Sequence, residues 1–405
     1  VSGGNAFSAT TPALQDRLFL NEGTGRCENT TGRLPRMIAS GASVAAADYD
    51  GDGDADLFVG GRVVPSRYGV PPRSYLLEND GTGRFRDATA ERAPELAEVG
   101  MVTDAAWSDY DGDGDLDLVV VGDWMPVSVF ENTGEGLARA ALPELENSHG
   151  WWTRIVVADF DDDGDDDYVL GNWGTNTRLK ASADAPVTMH VGDFDRNGRV
   201  EQIVSYVEDG ARYPLPLLGP LVRALPYLRE QIPTHADYAE KRVQDLFSRR
   251  QLEQALRHEV RETRTSYLEN KGGGSLELRA LPVEAQLAPT YAILPHDVDG
   301  DGHLDLVLAG NHFGVPTSLG RMDASYGAWL RGDGTGRFAA VPARESGLRV
   351  EGQARDAALV DIAGHGPVVL FARNDDTPQL FRVKWAWALG GWSHVRSLPR
   401  PNPYP

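Results

Sequence analysis

The segment Asp48-Tyr-Asp-Gly-Asp-Gly-Asp-Ala-Asp56 is the main indication of the fold, because its nine-residue pattern occurs five times in the chain. Oxygen-bearing side chains stand at positions 1, 3, 5 and 9, and glycine stands at position 6. The other copies are Asp109–Asp117, Asp159–Asp167, Asp193–Glu201 and Asp297–Asp305. Carboxylates at this spacing converge on one point, and the glycine permits a sharp turn that brings the carbonyl of position 7 inward. The pattern therefore predicts sites for a hard cation of calcium size rather than ordinary acidic turns.

The predicted ligands are the residues at positions 1, 3, 5, 7 and 9 of each loop, with position 7 contributing its backbone carbonyl. They are Asp48, Asp50, Asp52, Asp54 and Asp56; Asp109, Asp111, Asp113, Asp115 and Asp117; Asp159, Asp161, Asp163, Asp165 and Asp167; Asp193, Asp195, Asn197, Arg199 and Glu201; and Asp297, Asp299, Asp301, His303 and Asp305. About five Ca²⁺ ions are expected. The fourth loop has the fewest aspartates, so it is predicted to bind its ion most weakly.

These loops differ from EF-hands. An EF-hand closes its site with a glutamate at position 12 and has helices on both sides. Position 12 is apolar in every copy: Val59, Val120, Leu170, Val204 and Leu308. Short runs rich in valine, leucine and alanine flank the loops, as in Ser43-Val-Ala-Ala-Ala47 and Asp305-Leu-Val-Leu308. Such runs indicate strands, so each loop is predicted to join two neighbouring strands.

A second repeated unit follows most of the acidic loops. It is an apolar strand that ends in Asn or Asp and then glycine, as in Tyr75-Leu-Leu-Glu-Asn79-Asp-Gly-Thr-Gly83. Similar segments are Leu18–Arg26, Val129–Gly134, Tyr267–Gly272 and Trp329–Phe338. This pattern is typical of a tight hairpin. Each repeat then holds four strands, and four-stranded modules that recur every ~50 to 60 residues favour a β-propeller.

The predicted fold is an all-β, seven-bladed β-propeller that occupies residues 1–405 as a single domain. Residues 1–34 form the remainder of a truncated first blade, because Val1–Asn5 match the segment that follows a second strand elsewhere. The last module keeps Asp361 but lacks acidic residues at positions 3, 5 and 9, so it is a blade without a metal. A six-bladed ring is the alternative. The truncation predicts upstream domains of a longer polypeptide.

The loops resemble FG-GAP/VCBS repeats, the calcium-bearing blade motifs of integrin α-subunit propellers. The whole chain is similar to the C-terminal propeller of bacterial VCBS-repeat proteins that carry an ASPIC/UnbV module and are related to cartilage acidic protein. The supporting stretches are Ser2–Phe7, Leu14–Leu18, Gly310–Gly314 and Asp323–Gly327. The chain departs from the family at Cys27, where other hairpins have phenylalanine, and it lacks the ASPIC/UnbV module itself.

The resemblance implies that the metal loops lie on one face and the connections between second and third strands on the other. Binding groups usually lie on loops that a rigid scaffold supports. The candidate ligand-binding residues in these connections are Arg62, Tyr68, Trp124, Asn172, Trp173, Asn311, His312 and Phe313. Aromatic rings beside amides and arginine suit a sugar or a peptide. The alternative is that Trp124 and Phe313 pack between blades or plug a central channel.

Residues 214–265 interrupt the repeat as a helical insertion. Leucines recur there at helical spacing, and prolines divide the first part into short pieces. Ser248-Arg-Arg-Gln251 predicts a capping box at the start of the last helix. The apolar side of these helices needs a partner surface. It either covers the face of this propeller or docks a neighbouring domain or another chain.

Composition narrows the class of function. The net charge of −21 disfavours nucleic-acid binding, and the single Cys27 excludes an intrachain disulfide. No apolar run reaches the length of a membrane span. Several calcium loops fit an extracellular, periplasmic or cell-surface location, where calcium is millimolar. The sequence therefore predicts a non-enzymatic adhesion-type module with a carbohydrate or protein ligand. The alternative is a polysaccharide lyase or other glycan-processing enzyme, as some FG-GAP propellers are, although no nucleophile elbow, phosphate loop or zinc spacing is present.

Overall fold

The computed structural model describes residues 11–316, 318–362, 366–384 and 391–395. Within these ranges the strands form six antiparallel sheets of four or five strands and one two-stranded hairpin. The all-β class is therefore confirmed. The matches at Val1–Asn5 and Ser2–Phe7 lie outside the described residues. Of residues 1–34, the described part contains the hairpin of β1 (Phe19–Asn21) and β2 (Cys27–Asn29).

Five sheets follow the chain in series, and each is named here by its strands. Sheet 1 contains β3 (Ser40–Ala47), β4 (Asp56–Val63), β5 (Tyr75–Asn79) and β6 (Phe85–Asp87). Sheet 2 contains β7 (Met101–Ser108), β8 (Asp117–Met125), β9 (Ser128–Asn132), β10 (Leu137–Arg139) and β11 (Gly150–Trp151). Sheet 3 contains β12 (Arg154–Ala158), β13 (Asp167–Gly171), β18 (Ser266–Asn270) and β19 (Leu276–Ala280). Sheet 4 contains β20 (Thr290–His296), β21 (Asp305–Gly310), β22 (Ala328–Gly332) and β23 (Phe338–Val341). Sheet 5 contains β24 (Ala354–Ile362), β25 (Gly366–Arg373), β26 (Gln379–Lys384) and β27 (Gly391–Val395).

A sixth sheet, the inserted sheet, lies in the connection between β13 and β18. It contains β14 (Val187–Gly192), β15 (Glu201–Glu208), β16 (Ala211–Pro214) and β17 (Leu256–Val260), in the order β16-β15-β14-β17. Each of the five acidic loops joins two paired strands: β3 to β4, β7 to β8, β12 to β13, β14 to β15 and β20 to β21. The strand-loop-strand arrangement predicted from the flanking residues is present in all five copies.

The position of the inserted sheet differs from the sequence prediction. The repeat pattern assigned the hairpin at Tyr267 to the module of the fourth acidic loop. In the structure this hairpin belongs to sheet 3, because Val169 on β13 pairs with Tyr267 on β18. The open edge of β14 pairs instead with β17, through Val187 and Val260. Five four- or five-stranded sheets therefore follow in series, and the sixth is nested. The ring closure and the number of blades stay predictions.

Short helices fill the segment between β16 and β17. They are α2 (Leu218–Ala224), α3 (Leu228–Gln231), α4 (His235–Ala239), α5 (Val243–Leu246) and α6 (Arg249–Gln254); two others, α1 (Thr89–Arg92) and α7 (Ala343–Ser346), lie elsewhere. Ser248 and Gln251 form the predicted capping box at the start of α6. The buried leucines of these helices pack against Phe194 and Ile203 of the inserted sheet. The apolar side of the insertion thus packs on the inserted sheet of its own chain. Whether the insertion also covers a face of the propeller stays a prediction.

The sheets belong to two compact units. The first unit holds the hairpin β1–β2, sheets 1 and 2 and the inserted sheet, and the second holds sheets 3, 4 and 5. In the first unit, Phe58 and Leu118 lie in one core between sheets 1 and 2. In the second unit, Trp329 and Phe371 join the facing sides of sheets 4 and 5. Among the described residues, no helix is both long and apolar enough to cross a bilayer.

Candidate metal centres and ligand face

Three carboxylates converge in each acidic loop. One oxygen from each of positions 1, 3 and 9 lies within 4.8 Å of the other two. The trios are Asp48, Asp50 and Asp56; Asp109, Asp111 and Asp117; Asp159, Asp161 and Asp167; Asp193, Asp195 and Glu201; and Asp297, Asp299 and Asp305. Like charges at this distance repel each other strongly unless protons or a cation neutralise them.

Backbone hydrogen bonds hold the loop carboxylates in place. The amide of Gly53 at position 6 donates to Asp48 at position 1 over 3.0 Å, and the same bond occurs in the other four loops at 2.8 to 3.1 Å. Gly53 has a φ of 95°, a conformation that glycine adopts without steric cost. The amide of position 7 donates to position 5, as from Asp54 to Asp52 over 3.1 Å. The sequence pattern thus fixes the direction in which the side chains of positions 1 and 5 point.

Position 9 has a second role that the sequence analysis missed. In the four loops outside the inserted sheet, its carboxylate accepts a backbone N–H from the end of the third strand. Asn79 donates to Asp56 over 2.8 Å, and Gly332 donates to Asp305 over 2.9 Å. Position 9 therefore ties the acidic loop to the hairpin of its own sheet. The signal for this role was the Asn or Gly that ends each hairpin strand.

Several oxygens of these carboxylates are available to coordinate a hard cation. Buried oxygens that have no hydrogen-bond partner are Oδ2 of Asp56, Oδ1 of Asp159, Oδ1 of Asp161 and Oδ1 of Asp299. A buried acceptor without a partner is costly and rare in proteins, so each of them calls for a ligand. The three atoms that each trio offers to a metal are carboxylate oxygens. Oxygen ligands favour Ca²⁺ or a similar hard ion over zinc or copper.

Burial changes the protonation of the trios when no ion is present. Burial, with a smaller contribution from neighbouring carboxylates of the same loop, raises the pKa of Asp56, Asp161 and Asp305 to about 6. The pKa of Glu201 in the fourth loop is also raised, mainly by burial. These groups bind protons more tightly in the folded chain than in the unfolded chain, where aspartate has its ordinary pKa.

This shift predicts a pH dependence of the metal-free protein. Because the folded-state pKa values are raised, proton binding stabilises the fold at low pH, and that stabilisation is lost as the pH rises through about 6. We expect ion-stripped protein to melt at a higher temperature at about pH 5.5 than at about pH 7.5. Circular dichroism melts across this range measure it. Asp56→Asn should flatten the dependence, and a melting temperature that rises steadily with pH would contradict the assignment.

Three of the predicted ligand-face residues meet in the first unit. Asp123, which the sequence analysis did not select, accepts hydrogen bonds from Arg62 over 2.5 Å and from Tyr68 over 3.0 Å. Trp124 donates to the hydroxyl of Tyr68 over 3.0 Å, and its ring lies edge-on to Trp151. Trp124 is only 6% exposed. These side chains therefore form an internal network in which Trp124 has a packing role.

The other candidates lie in the second unit. Asn172 and Asn311 are buried, and Asn311 donates to the carbonyls of Ser325 and Gly352, both over 2.8 Å. Trp173 lies 6.1 Å from His312, measured between ring centroids. The ring of Tyr291, a residue that was not among the predicted candidates, also contacts His312, and the two ring centroids lie 6.2 Å apart.

Arginines cover two rings of the second unit. Arg321 lies over Phe313 at 3.6 Å, and Arg355 lies over Tyr291 at 4.3 Å. Each is a cation–π contact within the second unit. Together with Trp173 and His312, these two rings form a half-buried aromatic cluster.

A cavity of about 760 Å³ lies in the first unit beside Trp124. Its lining includes Met101, Met125, Arg139, His149, His258 and Arg261. It lies at the end of β8 opposite to the acidic loop, since β8 begins at Asp117 and ends at Met125. Burial lowers the pKa of His149 and His258, so both imidazoles are neutral at pH 7. Arg139 donates to Ser128 over 2.8 Å and is exposed to the cavity.

Comparisons with known proteins agree with the repeats. Among solved structures, the chain is similar to an exotype rhamnogalacturonan lyase, YesX, with 12% sequence identity and a TM-score of 0.34. The match covers 89% of the present chain and 65% of the YesX chain. The present chain is also similar to BBS1N, solved in complex with ARL6DN, with 10% identity, a TM-score of 0.23 and coverage of 88% of that chain and 82% of its own. No curated protein matches. A family model described as FG-GAP-like repeat matches residues 6–59 and 109–170, which contain the first three acidic loops and support the FG-GAP repeat family.

Proposed function

We propose that this protein is a calcium-binding β-propeller module of the FG-GAP type, in which each of the five acidic loops holds one Ca²⁺. The observation that supports this most directly is the trio of converging carboxylates, which is repeated in all five loops. In the first, third and fifth loops, the trio also has buried oxygens without a hydrogen-bond partner. A bound Ca²⁺ supplies positive charge at the point where the trio converges. The ligands at positions 1, 3 and 5 then fix the turn around the ion. Position 9 links the ion to the second strand and, in four of the loops, to the hairpin of the same sheet.

The location and the ligand follow from the same proposal. Calcium loops without the closing glutamate of an EF-hand fit compartments with millimolar calcium, so we place the protein outside the cytoplasm or on the cell surface. The resemblance to the propellers of ASPIC/UnbV proteins supports an adhesion-type role. The ligand is a carbohydrate or a protein segment. The cavity beside Trp124 is its proposed site, because methionine, arginine and histidine side chains meet there.

A glycan array tests the ligand site. We expect the protein to bind a subset of the immobilised glycans in the presence of calcium, and we expect the Arg139→Ala variant not to bind them. The matched control is Arg349→Ala, which removes an exposed arginine of the second unit that pairs with Glu351. Absorbance of unsaturated uronates in the same samples tests for lyase activity. Product formation that Arg139→Ala abolishes would replace the binding role by an enzymatic one.

Substitution of one ligand tests whether the calcium sites are independent. Asp50 has position 3 of the first loop, and its partners Asp48 and Asp56 belong to the same loop. We expect Asp50→Ala to abolish one site and to leave the others, because separate sites act additively. Isothermal titration calorimetry measures the stoichiometry. Glu28→Ala, which removes an exposed charge of β2, is the control. A stoichiometry that falls to zero would show that the loops fold as one cooperative unit.

A further inference from the structure

The third strand of each of sheets 1 to 4 ends in a residue whose backbone N–H donates to position 9 of the acidic loop. The residue just before it differs in charge between the fifth loop and the first three loops. Asn79 in sheet 1 and Gly332 in sheet 4 donate the same backbone bond to position 9 of their loops. Their preceding residues, Glu78 and Arg331, therefore occupy equivalent places. The corresponding residues in sheets 2 and 3 are Glu131 and Glu269. Three sheets thus have an acidic residue at this place, and sheet 4 has a basic one.

The glutamates of sheets 1 and 3 add negative charge beside their loops. The side chain of Glu78 is 9% exposed, pairs with Arg86 and Arg92, and accepts the hydroxyl of Tyr49 over 2.8 Å. Tyr49 is position 2 of the first loop, so this hydrogen bond places the Glu78 carboxylate beside the loop. The first loop therefore has an acidic residue at the place that Arg331 occupies in sheet 4.

Glu269 has the same surroundings in sheet 3. Its side chain is 8% exposed and pairs with Lys271 over 2.6 Å and with Arg279. The third loop therefore also has a buried acidic residue at the place that Arg331 occupies in sheet 4.

Arg331 reverses this arrangement in sheet 4. Its Nε lies 2.6 Å from Oδ2 of Asp299, the position-3 carboxylate of the fifth loop, whose side chain is 15% exposed. The guanidinium also lies 5.5 Å from the ring centroid of Trp329. Trp329 in turn donates its indole N–H to Oδ2 of Asp305 over 2.9 Å. A charge-assisted pair with this geometry neutralises one of the three carboxylates of the trio.

We propose that Arg331 is a built-in counter-ion of the fifth loop, so that this loop stays ordered without calcium and binds calcium more weakly than the first and third loops. The proposal rests on the proposed calcium-binding function. An incoming Ca²⁺ must share Asp299 with a guanidinium, and the two cations repel each other. Oδ1 of Asp299 has no hydrogen-bond partner, so the carboxylate keeps one oxygen for the ion. The count of carboxylates within the loop does not show this effect, because Arg331 lies outside it.

Terbium, a trivalent ion that occupies oxygen-rich calcium sites, gives a readout for this loop. Trp329 hydrogen-bonds to one of the predicted ligands, so its excitation should sensitise terbium bound there. We expect Arg331→Gln to bind terbium at this site about tenfold more tightly, which corresponds to ~1.4 kcal/mol. Arg349→Gln removes an equally positive exposed side chain of the same unit and should leave the affinity unchanged. Trp107 can sensitise terbium in the first and second loops, because it stacks on Tyr49 and lies two residues before Asp109. Trp329→Phe should therefore remove only the part of the signal that comes from the fifth loop, and this difference identifies that part.

A double-mutant cycle in the metal-free protein tests the ion pair by a second route. Arg331→Gln and Asp299→Asn should each lower the melting temperature in EGTA, and the double variant should lower it by no more than the larger of the two. Fully additive effects, or an unchanged terbium affinity in Arg331→Gln while the other loops bind calcium, would overturn this inference alone. Failure of the wild-type protein to bind calcium or terbium at any loop would overturn the calcium function and this inference together.

Discussion

Removal of calcium with excess EGTA is expected to lower the melting temperature of this protein by about 10 to 20 °C. Each bound ion stabilises the folded state by ~2.7 kcal/mol when free calcium is a hundredfold above the dissociation constant. Five loops multiply this contribution. In the first, third and fifth loops, buried carboxylate oxygens that have no hydrogen-bond partner lose their ligand when the ion leaves. An ordinary exposed ion pair contributes at most ~1 kcal/mol, so the loss is far larger than a general salt effect.

Differential scanning calorimetry with and without EGTA measures the change. Addition of calcium in excess over EGTA should restore the original curve, and the same concentration of magnesium should restore it less, because magnesium dehydrates reluctantly and requires a stricter geometry. A series in sodium chloride separates ion binding from screening of the net charge of −21. Superimposable melting curves in calcium and in EGTA would contradict the proposed role of the loops.

Asp167→Ala is expected to destabilise the protein by about 4 kcal/mol even in EGTA, when no ion is bound. Asp167 is fully buried and accepts three hydrogen bonds: from the hydroxyl of Tyr267 over 2.6 Å, from the amide of Asn270 over 2.8 Å and from the amide of Phe160 over 3.2 Å. Alanine leaves these three donors buried without an acceptor. The effect therefore comes from the fold as well as from the metal site.

Asp163→Ala is the matched control, because Asp163 has position 5 of the same loop and is exposed. It should weaken calcium binding but change the melting temperature in EGTA little. Hydrogen exchange gives a local readout: the Asn270 amide should lose protection in Asp167→Ala and keep it in Asp163→Ala. Equal losses of stability for the two variants in EGTA would show that Asp167 acts only as a metal ligand.

The parts of the fold that depend on short-range patterns were predictable from the sequence. The acidic loop needs carboxylates at fixed spacing and glycine at position 6, and Gly53 has the positive φ that this requirement implies. The strands on both sides follow from apolar residues at β-sheet spacing, and the box of Ser248 and Gln251 follows from capping chemistry. Each of these features is determined by residues less than ten positions apart.

The nested sheet was not predictable in the same way. A hairpin such as Tyr267–Gly272 identifies two strands, but it does not identify the third strand beside them. The β18 strand has apolar residues that fit β13 and β15 equally well by pattern. Pairing with β13 is selected by long-range contacts, among them the bonds from Tyr267 and Asn270 to Asp167. Local propensity contains no information on such partners.

The contacts of the candidate ligand-binding residues were hard to predict for a related reason. Asn172 and Asn311 follow equivalent glycines, and polar residues at the ends of strands suggested binding; Asp123 has the same place in sheet 2. In the structure Asn311 instead satisfies backbone carbonyls of its own unit, and Asp123 accepts from Arg62 and Tyr68. A polar side chain after a strand is ambiguous in sequence, because exposed groups that bind ligands and buried groups that cap the backbone are of the same residue types.

The return of the chain to β13 affects how the nascent polypeptide folds on the ribosome. When β12 and β13 have emerged, one edge of β13 has no neighbour until Ser266 is made. At ~5 to 20 residues per second, that edge waits for several seconds while an entire sheet with its own acidic loop is synthesised. An exposed edge that carries Tyr168, Val169 and Leu170 can pair with foreign strands. Early closure of the intervening sheet would shorten the path that the chain must bridge and would protect newly made copies from mispairing.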